Sequence, residues 1–261
     1  MKHLTAIFTL NGKLEKSTVM ILVYAQIALL CLLWMFSSSV FLPTPSETLK
    51  ALAELWASGV GSDLVVSFNL NLEAIAYSTV ISLGLAYLTT IPFFRPVVSF
   101  ISKLRFLSLV GLTFFFTMMS SSAHTLKLSL LVFSVSVFFV TSMADVLNSI
   151  PKVQFDLART LRMGELQVVW EVIILGQADK VFDVVRQNAA ISWLMLTMVE
   201  GMARSEGGIG AVLLNNNKHF HLSAVMAIQI TILLVGLGQD YVIGVLKHIF
   251  CPYSEISIER K

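Results

Sequence analysis

Residues 156–175 read DLARTLRMGELQVVWEVIIL, and this charged stretch decides how the rest of the chain is understood. Asp156, Arg159, Arg162 and Glu165 step by three, which lays charge along one side of a helix. Leu157, Ala158, Leu161, Val168 and Val172 fall near the opposite side at helical spacing. Gly164 is expected to break or bend the run, since glycine costs about 1 kcal/mol in a helix interior. Pro151 suits a first helical turn. The expectation is a short helix, a turn, and a second helix leading onward. Its surroundings are of another kind. The chain is 56% hydrophobic and only 13% charged over 261 residues, whereas a soluble domain carries about a quarter charged residues. The sequence therefore describes an all-α, polytopic membrane protein with a water-facing helix set between spans.

A helix needs about 20 apolar residues to cross the hydrocarbon. Six candidates emerge, at residues 18–42, 74–91, 106–123, 126–143, 181–199 and 222–246. The third and fourth are short and meet at a tight turn, so one of them is a candidate for a tilted or re-entrant segment. Glu73 is placed at an interface, because residues 74–91 alone reach about 27 Å at 1.5 Å each. With the N-terminus inside, fourteen of the 18 Lys and Arg residues fall on the inner side and four on the outer. That bias sets both termini in the cytoplasm. The division expected is a cytoplasmic segment 1–17, a transmembrane domain 18–250 with a cytoplasmic loop 144–180 between the fourth and fifth helices, and a cytoplasmic tail 251–261. The first apolar run ends without a small-x-small site, so it is expected to stay as a helix and not to be cleaved as a signal.

The net charge of +2 and the absence of a basic, aromatic-interleaved run argue against nucleic acid. Cys31 and Cys251 lie in an apolar run and in the polar tail, which makes a disulfide framework improbable. No H-E-x-x-H, no G-x-S-x-G and no acid cluster suited to a metal is present, so neither an enzyme nor a metal or cofactor site is expected. His219 and His221 alone make a poor metal site. No G-x4-G-K-[ST] phosphate loop exists either, so the chain carries no ATPase of its own.

The stretch resembles the cytoplasmic loop of the membrane permease subunits of bacterial ABC importers of the binding-protein-dependent type. Their signature is E-A-A-x3-G-x9-I-x-L-P. Here Asp156, Leu157 and Ala158 stand at the first three positions and Arg162 stands where the glycine belongs. Val172, Ile174 and Leu175 take the isoleucine, leucine and proline positions, and the nearest glycine is Gly164, two positions on. FLPTPSETLKALAELWASG at 41–59, RQNAAISWLMLTMVE at 186–200 and EGGIG at 206–210 are similar to the nitrate/sulfonate/taurine/bicarbonate subgroup, followed by a last helix with an acid at Asp240.

The resemblance implies the type I importer fold of about six transmembrane helices, with a coupling helix between helices 4 and 5 that inserts into a groove on a separate ATPase subunit. It implies a homodimer, two ATPases, an external periplasmic or lipid-anchored binding protein, a bacterial inner membrane, and a small, anionic solute. Asp156, Leu157, Ala158, Arg159, Thr160, Leu161, Arg162 and Gly164 form the implied coupling loop. Within it Leu157, Ala158 and Leu161 would pack against the ATPase, and Asp156, Arg159 and Arg162 would make rim contacts. Arg186, Trp193 and Glu200 are the candidate pathway residues, since ionisable groups inside spans face interiors and mark function. Asp183 lies three residues from Arg186, a spacing that suits a local helix pair. Two other readings stay open: a stand-alone secondary transporter, and a permease-like scaffold that does not pump.

Overall fold

A computed structural model describes residues 16–36, 42–203 and 207–252. Every regular element among them is helical. Helix α1 (Lys16–Met35) is apolar on all sides, and none of the residues in its spanning window is buried. The tail of the first expected span, 37–41, lies outside the described residues. Helix α2 (Pro45–Ala57) is amphipathic and starts from a capping box. Thr44 accepts from the Glu47 amide and the Glu47 carboxylate accepts from the Thr44 amide, with Pro45 at the first turn.

Helix α3 (Val60–Leu88) begins fourteen residues before the expected 74. Glu73, expected at an interface, and Asn71 both find partners, and the helix runs through them. Asn71 is buried against Gln239 and Ser192, and Glu73 pairs with His124 at 3.2 Å. The buried face of α3 carries Ser67, Asn71, Ala74, Ser78, Ser82 and Ala86. Small residues at this spacing let neighbouring backbones approach closely where no water competes.

The third expected span is not one straight helix. A 3-10 turn (Pro92–Phe94), helix α4 (Arg95–Lys103) and a second 3-10 turn (Leu104–Phe106) lead to helix α5 (Leu109–Met119), which is bent away by 110°. At 1.5 Å per residue the 11 residues of α5 reach only about 16 Å, half the hydrocarbon thickness. The chain still changes ends here. Glu73 meets His124, and Ser82 donates to the Ser136 carbonyl at 3.2 Å, so α3 and α6 (Ala123–Asn148) run parallel. The bent pair must therefore carry the chain back from the end of α3 to the start of α6.

After the loop, helix α9 (Ala178–Met202) returns antiparallel through the middle of the bundle, a short helix α10 (Ile209–Lys218) lies at its far end, and α11 (Leu222–Phe250) closes the chain. The central core joins Leu70, Ala74, Leu131, Val135, Trp193, Leu196, Ile209 and Ile228. A second cluster, nearer the loop end, joins Ala86, Phe139, Met143 and Val184. Among the described residues four helices are long and apolar enough to cross a membrane, five if the bent pair is counted as one span. Helix α9 is as long as these but carries Asp179, Lys180, Asp183, Arg186 and Glu200.

Candidate functional site

The loop between α6 and α9 folds as helix α7 (Lys152–Thr160), a tight turn, and helix α8 (Glu165–Val168) that continues as a π-helical segment (Val169–Ile174) and a 3-10 turn (Leu175–Gln177) into α9. Helix–turn–helix was legible in the sequence, and Pro151 sits one position earlier than expected, at the N-cap. The turn itself differs. Gly164 has φ −67°, ordinary for any residue, and caps α8; its amide hydrogen-bonds to the Gln167 side chain at 3.0 Å. The left-handed residue is Arg162, at φ 55°. The Arg162 amide donates to the Arg159 carbonyl at 2.9 Å and the Met163 amide to the Ala158 carbonyl at 3.2 Å. This is a Schellman closure, whose left-handed position is normally glycine.

The faces of α7 also differ from expectation. Ala158 is 3% exposed and covered by this chain's own residues, while Leu157 and Leu161 are 60% and 62% exposed. With Val153 they make an outward apolar stripe at four-residue spacing, and Leu166 extends it beyond the turn. Arg159 and Asp156 pair at 3.7 Å on the exposed side. Thr160 spends its hydroxyl on the Leu157 carbonyl. Behind α7 lies a cleft of about 630 Å³ bordered by Arg95, Ser99, Ser102, Asp145, Phe155 and Arg159.

At the other end of the bundle Glu200 is fully enclosed. Ser67 donates to its Oε1 at 2.6 Å and the Gly210 amide to its Oε2 at 2.8 Å. The Ile209 amide donates to Ser67 Oγ at 2.8 Å, the Gly208 amide to Asp63 at 3.1 Å, and buried Lys127 donates to the Gly207 carbonyl at 2.9 Å. Glu200 thus caps the N-terminus of α10, where free amides and the helix dipole favour a carboxylate. The glycines are required. Gly208 has φ 108°, and a Cβ at Gly210 would sit 2.5 Å from the Thr197 carbonyl oxygen.

Between these ends, Trp193 and Asn71 both donate to Gln239 Oε1, at 2.7 and 3.0 Å, and Ser192 donates to Asn71. This buried chain ties α3, α9 and α11. Next to it Arg186 holds Asp240 with two hydrogen bonds, 2.8 and 2.5 Å, and both side chains remain part-exposed. Asp183 does not pair with Arg186 along the helix; it accepts both short bonds from Lys247 of α11. A groove of about 420 Å³ runs along the α9–α11 seam, with Arg186 and Asp240 at one end and Trp193, Leu194 and Gly236 along it. Of the three candidate pathway residues, Arg186 and Trp193 border this groove and Glu200 is not among its lining. The role of Glu200 at the turn was missed because one partner, the Ser67 hydroxyl, lies 133 residues away and the other is a backbone amide, that of Gly210, although EGGIG is the signal of such a turn.

His219 and His221 lie 6.0 Å apart, and among the described residues no group of three or more His, Cys, Asp or Glu side chains is placed to hold a metal.

The fold and these sites define an all-helical, multi-pass membrane protein. No protein-family model matches the chain. None of the curated proteins matches it.

Proposed function

We propose that the chain is the membrane permease subunit of an ATP-driven importer of the binding-protein-dependent ABC type, with α7 as its coupling helix. In this reading α9 is a sixth crossing beside the four apolar helices and the bent pair. The loop and both termini are cytoplasmic, two copies form the pathway, and a small solute, anionic by family analogy, is delivered by an external binding protein. The observation that carries the reading is the backbone at Arg162. Arg162, the residue aligned with the loop motif's glycine, has a positive φ, the conformation that glycine adopts most readily. The exposed stripe of Val153, Leu157 and Leu161 supplies apolar groups for a socket, and the pair Asp156–Arg159 lies at its rim.

The test is Leu157→Asp, because Leu157 points away from its own chain whereas Ala158 does not. Desolvating an unpaired carboxylate in a socket costs several kcal/mol, and about 1.4 kcal/mol is already tenfold in binding. The variant should reach the membrane in normal amount and lose both co-purification of an ATP-hydrolysing subunit and ATP-driven uptake. Full uptake by Leu157→Asp sinks the coupling role. ATP-independent transport by a purified monomer in liposomes would favour a secondary transporter.

A further inference from the structure

The bent segment has a chemistry that neither the loop nor the pathway uses. Residues 74–144 contain no Asp or Glu, yet Arg95, Lys103 and Arg105 cluster within eleven positions. Among the described residues none of the three forms an ion pair. Arg95 donates to the Thr89 carbonyl and borders the cleft shared with Asp145 and Glu165. Lys103 and Arg105 do not border that cleft, and both are exposed. Around them the apolar side chains are exposed too: Phe93, Val97 and Phe100 form one outward stripe, and Phe106 stands beside Arg105, whose guanidinium lies 5.1 Å from the ring centroid. Only Val98 of α4 is buried.

A free anion is held in a polar concavity. Here Lys103 and Arg105 are exposed on a segment that also exposes Phe93, Phe100 and Phe106, the pattern of a helix that meets an acidic lipid surface. We propose that this segment binds an anionic phospholipid, with Lys103 and Arg105 on the headgroup phosphate and the Phe93–Val97–Phe100 stripe against the acyl chains. Long basic side chains reach a headgroup while their stems stay in the apolar layer. The proposal does not depend on the coupling role of α7.

The experiment uses the full chain in mild detergent, titrated with phosphatidylglycerol and with phosphatidylcholine of the same chains, bound lipid being read by native mass spectrometry. Each basic residue near an acidic surface strengthens binding about fivefold, so two give a preference for phosphatidylglycerol on the order of thirtyfold. K103Q/R105Q should lose that preference, and K50Q/K218Q, away from the segment on α2 and α10, should keep it. Phe100→Ser should weaken both lipids and leave the preference intact, a second reading should the double variant prove unstable. Equal binding of the two lipids by the unaltered chain overturns the proposal, as does a preference that survives K103Q/R105Q. Displacement of the lipid by an equal concentration of glycerol 3-phosphate would overturn it as well, since the site would then be one for a soluble anion.

Discussion

Replacing Glu200 by alanine tests whether the turn before α10 is held by one buried carboxylate. The side chain is fully enclosed and accepts from Ser67 at 2.6 Å and from the Gly210 amide at 2.8 Å. Hydrogen bonds to a charged group contribute about 1.5–3 kcal/mol each. Lys127, buried nearby and donating to the Gly207 carbonyl, would lose one attractive charge. Removing one member of a buried charged set costs about 3–5 kcal/mol. These losses overlap, so their sum is not the expectation; about 3–5 kcal/mol is, out of the 5–15 kcal/mol typical of a folded domain. Glu200→Gln keeps the volume and one acceptor and should cost about half as much. Glu73→Ala is the comparison: its partner His124 is 3.2 Å away, but both side chains are half-exposed, and such a pair is worth about 0–1 kcal/mol. Equilibrium unfolding in mixed detergent–SDS micelles reads the three variants against the unaltered chain. A Glu200→Ala cost no larger than that of Glu73→Ala would refute the clamp.

Arg162→Gly should stabilise the α7 turn, because a left-handed L-residue costs roughly 1–2 kcal/mol that glycine avoids; slower hydrogen exchange at the Met163 amide is the reading, and Arg162→Val should speed it. Gly210→Ala should cost about 1–3 kcal/mol by overpacking, since its Cβ would meet Thr197 backbone atoms at 2.5 and 2.8 Å, whereas Gly164→Ala should be nearly silent, its nearest neighbour being Gln167 Oε1 at 3.8 Å. Thermal midpoints in detergent should separate the two. Arg186→Asp should lower the midpoint by setting two carboxylates together on the α9–α11 seam, and adding Asp240→Arg should restore most of it; failure of the double variant to recover would mean the pair is not held as a pair.

The sequence announced what depends on local pattern and hid what depends on distant partners. The spans at α6 and α11 were legible because their apolar runs are long, and the short helix after Pro151 because its charges step at helical spacing. The start of α3 was not legible: Asn71 looks like a boundary until Gln239, 168 residues away, accepts its amide. The same holds for Ala158, which lies beside Leu157 in sequence and on the opposite side in space. The bend between α4 and α5 had no single breaker residue to mark it, only Leu107 and Ser108 in extended conformation. Gly164 reads as the turn because glycine tolerates what other residues avoid, but tolerance is not necessity. A Schellman closure fixes its left-handed residue by counting from the last helical carbonyls, and that count lands on Arg162. Arginine there bears a strain that the hydrogen bonds from the Arg162 and Met163 amides to the Arg159 and Ala158 carbonyls hold in place. The strained residue therefore sits at the tip of the loop, where the proposed function needs a rigid turn most.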